Sequence, residues 1–137
     1  MYLLDTNTLI YLFKNEGHVA QRMQSVAAHL IQIPAVVWFE LEYGVLRSSR
    51  PVPQRQSMNM VAQTYRTLPF DLACAQSAAQ IKHQLSTAGT PIGHYDLLIA
   101  GVAHAHGLTL VTRNTREFER IPGLPVQNWY DASDKQA

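Results

Sequence analysis

A chain of 137 residues, 47% apolar and 15% charged, has the material for one domain with its own core, which excludes a disordered or fibrous protein. The single cysteine, Cys74, excludes a disulfide framework and a cysteine-rich zinc site, and fits a reducing compartment. A net charge of +1 excludes a broad basic field for nucleic acid, although the arginines gather locally as Arg47, Arg50 and Arg55 and as Arg113, Arg116 and Arg120.

The opening MYLLDTNTLIYLF is apolar but has no basic leader and carries Asp5 inside it. It reads neither as a signal peptide nor as a membrane span, so a cytoplasmic protein is expected. Tyr2–Leu4 reads as a strand and Thr6–Lys14 as a helix, and a second helix is expected over His18–His29. Leu30–Ile33 reads as a strand, and Pro34 suits the first turn of a long helix to about Ser49. Pro51 and Pro53 are expected to break that helix, with Gln54–Arg66 helical again. Leu68–Phe70 reads as a short strand. Asp71 suits the N-cap of a helix to about Thr87.

The loop Gly89-Thr90-Pro91-Ile92-Gly93 launches a helix over His94–His106, which Gly107 ends. Leu108–Thr112 is the clearest strand and Val126–Trp129 an edge strand. The expected organisation is one domain over residues 1–130 and a polar tail over 131–137. Strands alternating with helices predict an α/β fold, with a central parallel sheet of about four to five strands sandwiched by helices. Ligands of such sheets bind beyond the carboxyl ends of the strands. Asp5 follows the first strand directly, and Arg113–Glu117 follows the clearest one.

With only ten acidic residues, each one inside apolar sequence stands out. Asp5 lies between Leu3-Leu4 and an apolar helix; Glu40 and Glu42 lie within VVWFELEYGVL; Asp96 lies within IGHYDLLIA. A buried carboxylate is normally paired, protonated or bound to a cation. Asp5 alone could be just a cap for Thr6-Asn7. Several carboxylates on elements that converge on one sheet edge instead suggest a divalent ion, and oxygen ligands favour Mg²⁺ or Mn²⁺ over zinc. On the last long helix Asp96, Ala100, Ala103 and Gly107 share a small-residue stripe, which lets that helix lie close to the sheet. Periodicity does not separate Glu40 from Glu42, and Gly44, one turn past Glu40, would leave room beside its carboxylate.

These residues resemble a known family. Leu3-Leu4-Asp5-Thr6-Asn7 is similar to the opening of PIN domains, and Glu40-Leu41-Glu42-Tyr43-Gly44 to their E-L-x-x-G motif, which selects Glu40. Thr90 to Ala100 resembles the central P-I-G-x-x-D-x-x-I-A motif, and Thr112 to Phe118 the closing T-x-N-x-x-[D/E]-F motif. The four occur in order over nearly the whole chain. Gly-Thr-Pro-Ile-Gly and Glu-Phe-Glu-Arg-Ile-Pro-Gly-Leu are similar to the VapC toxins of enteric bacteria.

The resemblance implies a metal-dependent endoribonuclease. Asp5, Glu40 and Asp96 would hold Mg²⁺ (or Mn²⁺), with Glu117 as the fourth acid and Asn114 as a supporting site residue. Thr6, Asn7 and Thr112 would orient the carboxylates. Metal-activated water would attack the phosphate, and Arg113 and Arg116 would contact RNA phosphates. The resemblance further implies a toxin that inhibits translation by cutting tRNA, in the anticodon loop of the initiator. It would be silenced by a VapB-type antitoxin seated on apolar helices such as Leu9–Phe13 and Val36–Leu46, and would form a homodimer. Operator DNA would be bound only through the antitoxin. The alternative is a catalytically idle PIN scaffold acting with its antitoxin at operator DNA, a reading that Asn114, in place of an acid, favours.

Overall fold

The computed structural model describes residues 1–132; the remainder of the expected tail, 133–137, lies outside the described residues. In chain order the elements are β1 (Tyr2–Leu4), α1 (Thr6–Phe13), α2 (Val19–Gln24), β2 (Ile31–Pro34), α3 (Ala35–Leu46), α4 (Pro51–Thr64) and β3 (Arg66–Leu68). Then follow α5 (Leu72–Thr87), α6 (His94–His106), β4 (Thr109–Val111), α7 (Thr115–Phe118) and β5 (Val126–Gln127). A single 3-10 turn, Ala28–Leu30, precedes β2.

The strands are short and apolar because helices cover both faces of the sheet. Leu3, Leu4, Ile31, Ile33, Leu110 and Val111 are all fully buried. All pairings are parallel, in the order β3-β2-β1-β4-β5, as the alternating pattern predicts. Leu3 pairs with Leu110 and Leu4 with Val111, so the carboxyl ends of β1 and β4 lie side by side. The chain winds outward from β1 through β2 to β3, then returns to the other side of β1 with β4. The strand order therefore reverses between β1 and β4, which is where open α/β sheets form a crevice.

Several boundaries differ from the sequence expectation. The helix expected over His18–His29 is only Val19–Gln24, because the Ser25 hydroxyl donates to the Arg22 carbonyl at 2.7 Å and closes the end locally. Pro34 ends β2 instead of opening a helix, and α3 stops at Leu46. Pro51 and Pro53 sit in the first turn of α4 and do not break a helix. The first helical N–H groups have no partner inside the helix, so prolines lose nothing there. β3 is Arg66–Leu68, shifted toward the N-terminus, because its ladder with Gln32–Pro34 ends where Pro69 follows.

Helices α5 and α6 form an antiparallel pair packed unusually closely. A Cβ built at Gly101 would lie 2.6 Å from Ala78 Cβ and 3.0 Å from the Cys74 carbonyl oxygen. The stripe expected on α6 holds at Ala100 and Ala103, both fully buried, while Gly107 serves as a left-handed cap with φ 64°. No described helix is long and apolar enough to cross a membrane.

Candidate active site

Asp5 is the residue just past β1 and the N-cap of α1. Its Oδ1 accepts from the Thr8 N–H at 2.9 Å and the Thr8 hydroxyl at 2.6 Å, and its own N–H donates to the Val111 carbonyl at 3.2 Å. It is 5% exposed. Burial pushes its pKa above the usual carboxylate range, against hydrogen bonds from the Thr8 and Thr112 hydroxyls and the Thr8 N–H. The cap and the site carboxylate are therefore one group.

Thr8 was not singled out in the sequence. The signal was present, since the third residue after an N-cap Asp regularly turns its N–H toward that carboxylate. Thr112 is fully buried, and its Oγ1 accepts the Asn114 N–H at 3.0 Å, which ties the turn after β4 to the Asp5 carboxylate.

Glu40 and Glu42, inseparable by periodicity, part company in three dimensions. The Thr6 hydroxyl donates to Glu40 Oε1 at 2.5 Å, which draws α3 to the start of α1. Glu42 forms an ion pair with Arg55 of α4, and that pairing holds its carboxyl below the ordinary range. Gly44 does not make room for Glu40: the atom nearest a Cβ there is Gln54 Nε2 of α4, at 3.6 Å.

Asp96, in the first turn of α6, has its pKa pushed up to about 6. Desolvation is the largest cause, followed by the charges of Asp5, Glu117 and Glu40 and a hydrogen bond with Glu117. The other three candidate acids thus all act on Asp96. α7, a short helix not expected from the sequence, brings Glu117 in. Gly93 leaves space beside the cluster, since a Cβ there would lie 3.8 Å from Asp96 Oδ2.

Asp5, Asn7, Tyr11, Arg113 and Asn114 line a cavity of about 250 Å³ at the crevice. Asn114 is exposed on its wall, in the N-cap position of α7, and adds no charge. Arg116 is exposed on α7. Oxygen donors gathered so that their charges push up the Asp96 pKa suit a hard divalent cation, because such an ion offsets the repulsion. A separate group, Asp71, Cys74 and His106, has its ligand atoms within 4.8 Å of one another. His106 is ten residues beyond Asp96 on α6, about 15 Å along the helix, so this group is not part of the acidic site.

The PIN domain family matches residues 2–124. The tRNA(fMet)-specific endonuclease VapC of Salmonella typhimurium is 36% identical over 93% of this chain and 97% of its own length. Ribonuclease VapC2 of Rickettsia felis is 33% identical over 94% and 98%. Among solved structures, DNA-bound VapBC from Salmonella typhimurium superposes with a TM-score of 0.87 at 36% identity, over 93% of this chain and 97% of that one. Nucleases of this family generally work with a divalent metal ion. The chain belongs to the PIN-domain family, among the VapC ribonucleases.

Proposed function

We propose that this chain is the toxin of a toxin–antitoxin pair and hydrolyses phosphodiester bonds in tRNA, using Mg²⁺ (or Mn²⁺) held by Asp5, Glu40, Asp96 and Glu117. The observation that carries this reading is the convergence of Asp5, Glu40 and Glu117 on Asp96 at the β1–β4 crevice, where their charges add to the burial that raises its pKa. The bound cation supplies an activated water at neutral pH and offsets charge on the phosphoryl oxygens. Thr8 and Thr112 hold Asp5 in one orientation, and Thr6 does the same for Glu40. Asn7 and Asn114 offer amide groups to the RNA from the cavity wall. Arg113 and Arg116 supply positive charge for its backbone.

Initiator tRNA is the substrate named for the Salmonella relative, and we extend it to this chain. A VapB-type antitoxin is the partner, in keeping with the VapBC assemblies among the structural relatives. Its seat is a groove of about 620 Å³ lined by Ile10 and Phe13 of α1 and by Pro53, Gln54 and Ser57 of α4. Operator DNA is reached through that antitoxin. Phe39, Tyr43 and Leu46, exposed on α3, provide an apolar face for a second copy. The setting is the cytoplasm, where the tRNA is.

Purified protein incubated with total bacterial tRNA should give discrete fragments with Mg²⁺ and none with EDTA or after Asp5→Ala. Intact RNA in every lane, from folded protein free of antitoxin, would reject the enzyme reading and favour the idle scaffold at operator DNA that Asn114 suggests. The two glutamates of α3 provide a sharper comparison. Glu40→Gln should lower kcat/KM by more than about tenfold, since even an outer partner of a metal ligand costs that much. Glu42→Gln, which removes an exposed ion pair, should leave cleavage within about twofold and thermal stability close to that of the wild type.

A further inference from the structure

Arg113 is exposed, yet it is held. Its guanidinium carbon lies 3.6 Å from the centroid of the Tyr130 ring and 5.5 Å from that of Tyr11. The two rings meet edge to face at 4.6 Å. Tyr11 beside it is the largest cause of an upward shift in the guanidinium's pKa.

Tyr130 is fixed in turn. Its N–H donates to Asn128 Oδ1 at 2.8 Å, and its carbonyl accepts the His18 N–H at 2.8 Å. Gly17 lies so close that a Cβ there would sit 2.7 Å from the Tyr130 ring and carbonyl. An arginine side chain free in water loses up to about 2 kcal/mol of rotamer freedom when a ligand orders it. Here much of that ordering precedes any ligand.

Among the described residues Arg113 is in no salt bridge, although the charge of Asp131 acts on it and Asp5 lines the same cavity; the ion pair found there is Arg55–Glu42. A held cation and a carboxylate of the candidate metal cluster lining one cavity suit a ligand with two successive anionic groups. Stacking on Tyr130 occupies one face of the guanidinium and leaves its edge N–H groups, which match a phosphate fork. Asn7 and Asn114 add amide groups to the same lining.

We propose that the cavity between Asp5 and Arg113 is a subsite for the RNA phosphodiester adjacent to the scissile one. Arg113 is the binding cation, and Tyr11 and Tyr130 are positioning residues that keep its donors turned into the cavity. This rests on the ribonuclease reading given above. The subsite accounts for a cation held next to the site by aromatic rings, where a plain ion pair would have neutralised it.

The test uses labelled bacterial tRNA as probe in two formats. In cleavage, Arg113→Ala should raise KM about tenfold, exceeding any fall in kcat. In binding, measured on the Asp5→Ala protein between about 50 and 200 mM salt, adding Arg113→Ala should reduce the slope of log K against log salt by about 0.7–0.9, one phosphate contact. Arg113→Lys should restore the slope but only part of the affinity, because ammonium cannot make the fork. Tyr130→Ala should raise KM while leaving the slope intact, and Tyr130→Phe should behave as wild type.

An unchanged KM and slope in Arg113→Ala would overturn the proposal, even with a lowered Tm, and would leave Arg113 as a tether for the end of the chain. If Arg113→Ala fails to fold, Arg113→Lys and Tyr130→Ala decide the matter. Wild-type protein that neither cuts nor binds tRNA would overturn the parent reading, an outcome distinct from cleavage that ignores Arg113.

Discussion

Replacing Asp96 by Asn is expected to cut kcat/KM by more than about a hundredfold, the loss that disturbing even an outer partner of a metal ligand can bring. The same change should stabilise the metal-free protein. The carboxyl titrates near 6 in the folded chain against 3.8 as a free group, so the folded state holds the proton more tightly. Its stabilising contribution is fully present below pH 3.8 and is lost as pH rises through about 6.

At pH 8 without metal, Asp96 therefore carries a penalty that Asn does not. A rise from 3.8 to about 6 corresponds to about 3 kcal/mol, and solvent around this half-buried group brings that to about 1–2 kcal/mol. Urea unfolding of both proteins in EDTA at several pH values gives the answer. The variant should lead at pH 8, and the gap should close toward pH 4. A variant less stable than wild type at pH 8 would show that burial and the neighbouring acids do not penalise the Asp96 carboxylate as described.

Gly101→Ala should destabilise the fold by about 2 kcal/mol and lower Tm by roughly 5–10 °C. The methyl group would meet Ala78 Cβ at 2.6 Å and, at 3.0 Å, two atoms of the α5 backbone, which cannot turn away as a flexible side chain would. Alanine's better helix propensity offsets about 1 kcal/mol of the strain. Adding Ala78→Gly should recover part of the loss, because it removes the nearest atom but not the backbone contacts. Thermal unfolding of the two single variants and the double variant measures the coupling. Additive losses would mean that α5 and α6 separate freely.

The parts of this molecule legible in its sequence are those set by local chemistry. Asp5 and Asp71 cap α1 and α5, and Gly107 ends α6, as their residue types require. Asp5, Glu40 and Asp96 stand out because charge is costly in apolar sequence, whereas Glu117 is proposed only through the resemblance to the family's closing motif. What stayed hidden depends on a distant partner. Glu40 differs from Glu42 only through Thr6, thirty-four residues away, and through Arg55 on another helix. Gly101 reads as an ordinary helix residue until α5 is laid against it.

Likewise, Pro51 and Pro53 read as breakers because a proline signal does not say on which side of it a helix begins. The arginines of the second group looked alike in sequence. Only the fold gives Arg113 its two tyrosines, one from α1 and one from beyond β5.

The sheet order has a bearing on how the candidate site is assembled during synthesis. Asp5 is translated well before the partner it needs: the carbonyl that accepts its N–H belongs to Val111, and Thr112 and Glu117 follow later still. Until β4 slides in beside β1, the central strand has an open edge, and the carboxylates lack both the Thr112 hydroxyl and their full number. A chain cut short before β4 and α7 therefore lacks the assembled acidic cluster, however much of its sheet has formed.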